Sequence, residues 1–152
     1  MIVKDIAEFD VKTVTPDADL ATAAKLMWDG DCGAIPVVNA ERKVVGMITD
    51  RDICIAAATR SARPADLQVK DVMSGATYTC SPTDDIRAAL KIMREQRVRR
   101  LPVVDNDGRL VGILSINDLI LASQSRAGSV PTDELFATLK AISAHQHEHV
   151  TA

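Results

Sequence analysis

The stretch GMITDRD, residues 46–52, runs from apolar residues through a threonine into three charged residues. The stretch GILSIND, residues 112–118, repeats its glycine, its hydroxyl and its final aspartate at the same spacing, 66 positions later. An apolar run that ends in a hydroxyl and an aspartate is typical of a buried strand that passes into a helix. Two copies of such a junction indicate that the chain contains an internal duplication.

The duplication extends over most of the chain. A shift of 66 positions aligns residues 3–56 with residues 69–122, and 16 of the 54 ungapped pairs are identical. The best-matched segments are VKDI and VKDV (3–6 and 69–72), TVTP and TCSP (13–16 and 79–82), and IPVV and LPVV (35–38 and 101–104).

Each repeat predicts the element order β-α-β-β-α. The segment before the proline of TVTP or TCSP is expected to be extended, because a residue that precedes proline avoids the helical region. Apolar residues at helical spacing follow, and Gly30 fits the end of the first helix. The PVV segment, a polar turn and a second apolar run then predict two strands, before a helix that begins near Asp52 or Asp118.

These patterns also predict the domain organisation. Thr132 is expected to cap a helix near the C-terminus, with an apolar stripe of Leu135, Leu139 and Ile142. Such a stripe predicts a helix that docks on the body of the protein or on a partner subunit. The expected parts are a first unit at 1–58, a connection at 59–68, a second unit at 69–124, and a loop with a helical tail at 125–152.

Two units of this kind, each with an [IL]-P-V-V strand and a G-h-h-[ST]-x-x-D turn, resemble a tandem CBS-domain pair, also called a Bateman module. The resemblance covers residues 1–123. It implies an α+β fold with two pseudo-symmetric β-α-β-β-α units packed sheet to sheet, often as a homodimer. It also implies that adenosyl ligands such as AMP, ATP, NAD or S-adenosylmethionine bind in clefts between the units.

The chemistry of the repeated turn fits such ligands. An ionised Asp52 or Asp118 can accept hydrogen bonds from both hydroxyls of a ribose. The hydroxyls of Thr49 and Ser115, beside helix N-terminal amides, can bind a phosphate, and the turn glycines allow a backbone or a base to approach closely. The alternative is purely structural, because a hydroxyl followed by an aspartate at a helix start is also a capping pattern.

The resemblance implies that each cleft combines residues of both halves. Cleft A is expected to hold Ile48, Thr49, Arg51, Asp52, Gly75, Ala76, Val98, Arg99 and Arg100. Cleft B is expected to hold Leu114, Ser115, Asn117 and Asp118 with Phe9, Asp10, Cys32, Gly33 and Ala34.

Arginines distinguish the two clefts. Arg51, Arg99 and Arg100 belong to cleft A, whereas the matching positions of cleft B carry no arginine. Because a guanidinium is planar and permanently charged, cleft A is predicted to take a phosphorylated adenosine ligand. For the protein as a whole AMP is the first expected ligand, and ATP, NAD or S-adenosylmethionine are further possibilities. Mg²⁺ is expected only together with a nucleotide. Cleft B is expected to be empty, weaker, or suited to an adenosyl group without phosphate. A different interpretation of the stretch RVRR, residues 97–100, is a solvated basic edge that faces a dimer partner.

Composition narrows the classes of function. A hydrophobic fraction of 47% with 26% charged residues predicts a globular protein, and a net charge of −3 with 3% aromatics argues against nucleic acid. The sequence shows neither a secretory signal nor an apolar run of membrane-spanning length, so a cytoplasmic location is expected. Cys32, Cys54 and Cys80 are predicted to be reduced and mostly buried, with Cys54 and Cys80 in the core.

The leading functional hypothesis is a non-catalytic, homodimeric sensor that binds an adenine nucleotide and signals to a protein partner. An enzyme is opposed by the lack of a nucleophile paired with a base, since histidines occur only near the C-terminus. Two competing hypotheses are a structural or stress-related scaffold with vestigial clefts and a nucleic-acid binder that uses RVRR. His145 and His149 lie one helical turn apart and are interpreted either as metal ligands or as a frayed polar terminus.

Overall fold

The computed structural model describes residues 1–75, 77–125 and 130–144, with Ser125 described by its backbone alone. Ala76, His145 and His149 therefore lie outside the described residues. Five α-helices and four strands are formed within the described part of the chain: α1 (Leu20–Asp29), β1 (Ala34–Val38), β2 (Val44–Thr49), α2 (Asp50–Arg60), α3 (Ile86–Gln96), β3 (Arg100–Val104), β4 (Leu110–Ser115), α4 (Ile116–Ser125) and α5 (Thr132–Ser143). The α+β class and the repeated order are confirmed.

The first strand of each predicted unit is reduced to one bridge. Val14 pairs in parallel with Val37, and Cys80 pairs in parallel with Val103. A proline follows two residues later in both repeats. Because proline has no amide hydrogen, it cannot extend the ladder, and the segment stays extended without becoming a longer strand.

The two hairpins are built in the same register. β1 and β2 pair antiparallel with Ala34 opposite Thr49, and β3 and β4 pair antiparallel with Arg100 opposite Ser115. Both hairpins have a register shift at the same place, between the two valines of the PVV segment. The duplication therefore preserves backbone geometry down to this irregularity.

Each half of the chain sends a short segment into the other half. The amide of Val3 donates to the carbonyl of Asp84 at 2.9 Å, and the amide of Val69 donates to the carbonyl of Ala18 at 2.8 Å. Val3 is fully buried in the core of the second hairpin, while Val69 is fully buried in the core of the first. The two halves are thus interlocked, and the clefts lie where each half meets the segment that comes from the other.

The glycines of the repeated turns permit this exchange. Glu8 bridges Ile113 beside Gly112, and Ser74 bridges Met47 beside Gly46. A Cβ added to Gly46 would lie 2.7 Å from the carbonyl oxygen of Ser74, and one added to Gly112 would lie 2.8 Å from that of Glu8. The sequence predicted that these glycines let either a backbone segment or a base approach closely. The structure shows the close backbone segment.

Helix α5 packs on the second half of the protein. Leu135 is buried against α3, and Leu139 and Ile142 pack at the edge of the same core. Arg87 forms a salt bridge with Glu134 on the helix. Docking on the body is confirmed, but the predicted cap by Thr132 is wrong. The amide of Leu135 already bonds the carbonyl of Pro131, so Thr132 is the first residue of the helix and not its cap.

The prediction that the cysteines are mostly buried is also wrong. Cys32 and Cys54 are exposed, and only Cys80 is buried. On α2 the side chains that face the core are those of Ile53 and Ala56, which leaves Cys54 outside. Desolvation raises the pKa of Cys80 to about 12, with a further contribution from the carboxylate of Asp84. No described helix is both long and apolar enough to span a membrane.

Candidate functional site

The repeated turn forms a helix cap in both halves. Thr49 Oγ1 accepts from the amide of Asp52 at 3.0 Å, and Asp52 Oδ2 accepts from the amide of Thr49 at 3.0 Å. The amide of Ser115 donates to Asp118 Oδ2 at 2.8 Å, and that of Asp118 donates to Ser115 Oγ at 3.2 Å. The interpretation of the repeated turn as a helix cap is therefore correct.

The caps leave part of each carboxylate available. Within the described residues, the bonds of Asp52 and Asp118 all use Oδ2, and no bond involves Oδ1. Both side chains are half-buried at the start of a helix, where backbone amides create a positive potential. A cap and a ligand contact are compatible in the same aspartate, because the two oxygens perform different tasks.

Most of the residues predicted for cleft A surround one cavity of about 700 Å³. The turn of the first half lies on one side of it, and the start of β3 lies on the other. The predicted residues that line it are Thr49, Arg51, Asp52, Val98, Arg99 and Arg100.

Two predicted members of cleft A do not line it. Ile48 is fully buried, because side chains alternate along β2 and the outward position belongs to Thr49. Gly75 lies outside the lining, and a Cβ at that position would meet no atom within 4 Å. The predicted role of Ala76 stays a prediction, since it lies outside the described residues.

Sequence reasoning missed several cleft A residues. Arg97 ends α3 in a left-handed conformation with φ 54°, and this geometry places it on the cleft. The stretch RVRR contained it, but only its last three residues were assigned to the site. Tyr78 supplies an aromatic ring that is 39% exposed, and Ile142 reaches the cleft from α5. The other lining residues that were missed are Met47, Asp50, Ser74, Thr77 and Pro102.

Cleft A is rich in guanidinium groups. Four arginines line it together with the carboxylates of Asp50 and Asp52. Within the described part of the chain, none of the four forms a salt bridge or a side-chain hydrogen bond, whereas Arg63 and Arg87 pair with carboxylates. These cleft arginines are Arg51, Arg97, Arg99 and Arg100. Unpaired cations that converge on one cavity favour an anionic occupant.

Cleft B is a second cavity, of about 580 Å³. Leu114 is fully buried for the same reason as Ile48, and Phe9 does not belong to the lining. The predicted roles of Leu114 and Phe9 in cleft B stay predictions. The side chain of Phe9 instead lies beside Gly112, within 3.2 Å of the position of an added Cβ. The predicted residues that line the cavity are Asp10, Cys32, Gly33, Ala34, Ser115, Asn117 and Asp118.

Cleft B has the opposite charge from cleft A. Its cations are Lys12 and Arg100, and it has four carboxylates, those of Glu8, Asp10, Asp31 and Asp118. Asp31 takes the place that Arg97 has in cleft A, and it has a similar left-handed backbone with φ 49°. Aligning the two repeats with a shift of 66 positions pairs Asp31 with Arg97, so the sequence alone could have revealed this reversal of charge. The remaining residues that were missed are Val11, Gly30 and Ile113.

The two clefts share a wall. Gly33 and Ala34 were predicted for cleft B and Arg100 for cleft A, yet all three line both cavities. The amide of Asp50 donates to the carbonyl of Gly33 at 3.0 Å, which ties the start of α2 to this wall. A Cβ on Gly33 would lie 3.0 Å from Asp50 Oδ2, so the side chain of Asp50 packs closely over this glycine.

Among the described residues, no group of three or more histidine, cysteine, aspartate or glutamate side chains is arranged to hold a metal ion. The hypothesis that His145 and His149 bind a metal concerns positions that the structure does not describe.

Several known proteins are similar to this chain in sequence. The CBS domain-containing protein YhcV of Bacillus subtilis is 38% identical over 133 residues, which are 86% of this chain and 93% of that protein. Inosine-5'-monophosphate dehydrogenase of Methanocaldococcus jannaschii is 37% identical over 111 residues, which are 73% of this chain but 21% of that enzyme. The similarity to the enzyme therefore concerns only the part of it that resembles a CBS pair.

A solved structure extends the comparison to three dimensions. The CBS domain pair of protein MJ0100, in complex with 5'-methylthioadenosine and S-adenosyl-L-methionine, matches with a TM-score of 0.75 and 25% identity. The match covers 83% of this chain and 98% of that one. The family model of the CBS domain matches residues 3–58 and 69–125. The chain therefore belongs to the CBS-domain family and carries two CBS domains in tandem, a type of module that is regulatory.

Proposed function

We propose that this protein is a non-catalytic regulatory sensor that binds a phosphorylated adenosine ligand in cleft A and signals to a protein partner. AMP is the first candidate, and ATP and NAD are the next candidates that also carry phosphate. The observation that carries the proposal is the convergence of four unpaired arginines on a cavity that also holds Thr49 and Asp52.

The parts of the ligand have matching groups in cleft A. Asp52 Oδ1 accepts from the ribose hydroxyls while Oδ2 keeps its bond to the amide of Thr49. The arginines bind the phosphate. Tyr78 offers an aromatic face for the adenine. A cavity of about 700 Å³ lies within the range of small-molecule sites.

The known complex supports the class of ligand. MJ0100 binds two adenosyl compounds without phosphate, and its CBS pair is similar to this chain. The additional feature of cleft A is its set of arginines, which favours a phosphate on the adenosyl group. Mg²⁺ enters only with a nucleotide's phosphates, because arginines outnumber carboxylates in this cleft.

Cleft B is proposed to hold an adenosyl group without phosphate or to stay empty. Its carboxylates outnumber its cations, so a phosphate there meets net repulsion. Ser115 and Asp118 still repeat the grip on the ribose, which suits a neutral adenosyl compound.

A route for the signal is offered by α5. Ile142 lines cleft A, while Leu135 of the same helix is buried against α3. A ligand that contacts Ile142 favours one placement of α5 over another, and such a difference in affinity is what a regulatory switch requires. The surface of α5 is therefore proposed as the part that the protein partner recognises.

A homodimer is proposed through the outer face of α1 and α2. A groove of about 490 Å³ on this face includes Trp28, which is 85% exposed, and Ile55 on α2 is 45% exposed. In the second half α5 packs against α3 and α4, while Leu121, the counterpart of Ile55, is 66% exposed. Trp28→Glu should convert a dimer to a monomer in light scattering, while Phe136→Glu on α5 should not. The opposite pattern would assign the dimer to α5.

Thermal unfolding with a panel of compounds tests the proposed function. AMP, ADP, ATP, NAD, S-adenosylmethionine and 5'-methylthioadenosine should be compared with single-stranded nucleic acid. A ligand at 100 times its Kd stabilises the fold by about 2.7 kcal/mol, and AMP is expected to give such a shift. Arg51→Ala should reduce the shift, whereas Asn117→Ala, the matching change in cleft B, should not.

The second candidate is a scaffold whose clefts bind no physiological ligand. The capping bonds of Thr49 and Asp52 favour it, because they give both residues a structural task. This candidate predicts that no adenosine compound changes the melting temperature. The absence of any shift in the panel would therefore replace the sensor with the scaffold.

A further inference from the structure

Arg100 lies on the wall between the two clefts. It lines both cavities, and its backbone begins β3 opposite Ser115, the hydroxyl residue of cleft B. It is half-buried, and within the described residues its guanidinium forms no salt bridge. One cation is therefore available to either cavity and is not held by a carboxylate of its own.

The clefts depend on this cation to different degrees. Cleft A has three other arginines, so it retains a basic lining without Arg100. In cleft B only Lys12 would remain against four carboxylates. Because like charges at short distance disfavour binding, a phosphate in cleft B needs Arg100 far more than one in cleft A does.

We propose that Arg100 is a shared cation that makes the two clefts negatively coupled for phosphorylated ligands. A phosphate in cleft A draws the guanidinium to that side by charge-assisted hydrogen bonds. Cleft B then binds a second phosphate more weakly but still accepts an adenosyl group that has none. This inference rests on the proposed function of cleft A and adds a rule for joint occupancy.

The coupling is reciprocal by thermodynamic necessity. A phosphate that occupies cleft B first would weaken phosphate binding in cleft A by the same factor. Couplings of this kind typically change affinities by about 5-fold or more. A neutral ligand does not compete for a guanidinium, so adenosine should show no coupling.

Calorimetric titration tests the proposal with AMP and adenosine as probes. In the unchanged protein, AMP should show a tight first step and a weak second step. In Asp52→Ala, cleft A loses its ribose contact, and AMP should bind cleft B with Arg100 still available. Its affinity in this variant should be about 5-fold higher than that of the second step in the unchanged protein. Adenosine should bind cleft B equally well in both proteins.

Two variants separate sharing from simple repulsion. When Arg100→Ala is introduced, the affinity of the second AMP step should equal the AMP affinity of cleft B measured with Asp52→Ala also present. Arg99→Ala, whose side chain lines cleft A alone, should weaken the first step and preserve that difference.

Three results would overturn the shared cation: two equal AMP sites in the unchanged protein, equal affinity of cleft B with cleft A filled or blocked, or no AMP binding to cleft B in Asp52→Ala. The second and third results leave the proposed function intact, because AMP binding to cleft A is measured by the first step. Two equal AMP sites would also refute the proposed difference between the clefts, while AMP binding itself would stand. Loss of the first step itself would instead refute the proposed function.

Discussion

Clefts A and B have the same backbone and opposite charge. Both lie beside a hairpin with the same register and a helix capped by a hydroxyl and an aspartate. At matched positions cleft A has Arg97 where cleft B has Asp31, and Arg51 where cleft B has Asn117. The duplication has kept the backbone geometry of the turn and hairpin, while substitutions on the rim have changed the charge that lines each cleft.

The largest effect is expected for the aspartate of the turn. Asp52→Ala should weaken AMP binding about 10- to 100-fold, because a hydrogen bond to a charged group is worth about 1.5–3 kcal/mol. Asp118→Ala removes the same capping bond in the other half, so both variants should lose about 0.5–2 kcal/mol of stability. Only the first should weaken the tight AMP step in calorimetry, and equal weakening of that step in both variants would show that the clefts do not differ.

The next largest effect is expected when the arginine of one turn is exchanged for the asparagine of the other. Arg51→Asn should weaken AMP binding about 10-fold, because one charge-assisted contact to the phosphate is lost. Asn117→Arg places a guanidinium on an exposed position of cleft B, and it should strengthen the second AMP step. A second step that stays unchanged in Asn117→Arg would mean that charge on the rim does not set the preference.

Ionic strength should change the Kd of AMP but not that of adenosine, and this effect should be smaller than those of the substitutions above. Arg51, Arg97 and Arg99 are exposed, so their attraction for a phosphate is screened as ionic strength rises. The Kd of AMP should increase several-fold between low and physiological salt, and the Kd of adenosine should stay nearly constant. A salt-independent Kd for AMP would place its phosphate away from the arginines.

The smallest effect is expected in thiol labelling. Cys32 lines cleft B, whereas Val98 is its counterpart in cleft A. In a Cys54→Ala background, AMP should change the labelling rate of Cys32 by less than about twofold, because the ligand lies in the other cleft. Cys80 should stay unlabelled at neutral pH, since it is buried and its pKa is raised to about 12. Strong protection of Cys32 by AMP would place the nucleotide in cleft B.

The raised pKa of Cys80 also predicts that the folded protein becomes less stable as the pH rises into the alkaline range. Because its pKa is raised in the folded state, the buried thiol is favourable below the ordinary thiol pKa, and this contribution is lost as pH rises toward about 12. Unfolding measured by circular dichroism should therefore become easier in strongly alkaline solution, and less so in Cys80→Ala. An identical alkaline slope in both proteins would contradict this origin.

Much of the fold follows from local pattern in the sequence. The repeat and the apolar periodicity correctly predicted two β-α-β-β-α units, the start of the second helix after Thr49 and Ser115, and an additional helix with its stripe on the body. These features depend on residues that are close together in the sequence, or on the regular spacing of apolar residues along it. Ile48 and Leu114 do not line the cavities, because side chains alternate along a strand and the outward position belongs to the hydroxyl residue that follows.

Other features depended on residues that are distant in sequence. The burial of Val3 among residues of the second half, the exposure of Cys54 and the position of Arg100 between two cavities are set by packing across the two halves. The sequence by itself determined the repeat, the capped turns and the excess of arginine in one copy. Only the tertiary structure decided that the two clefts share a wall, because a side chain's neighbours across that wall come from both halves at once.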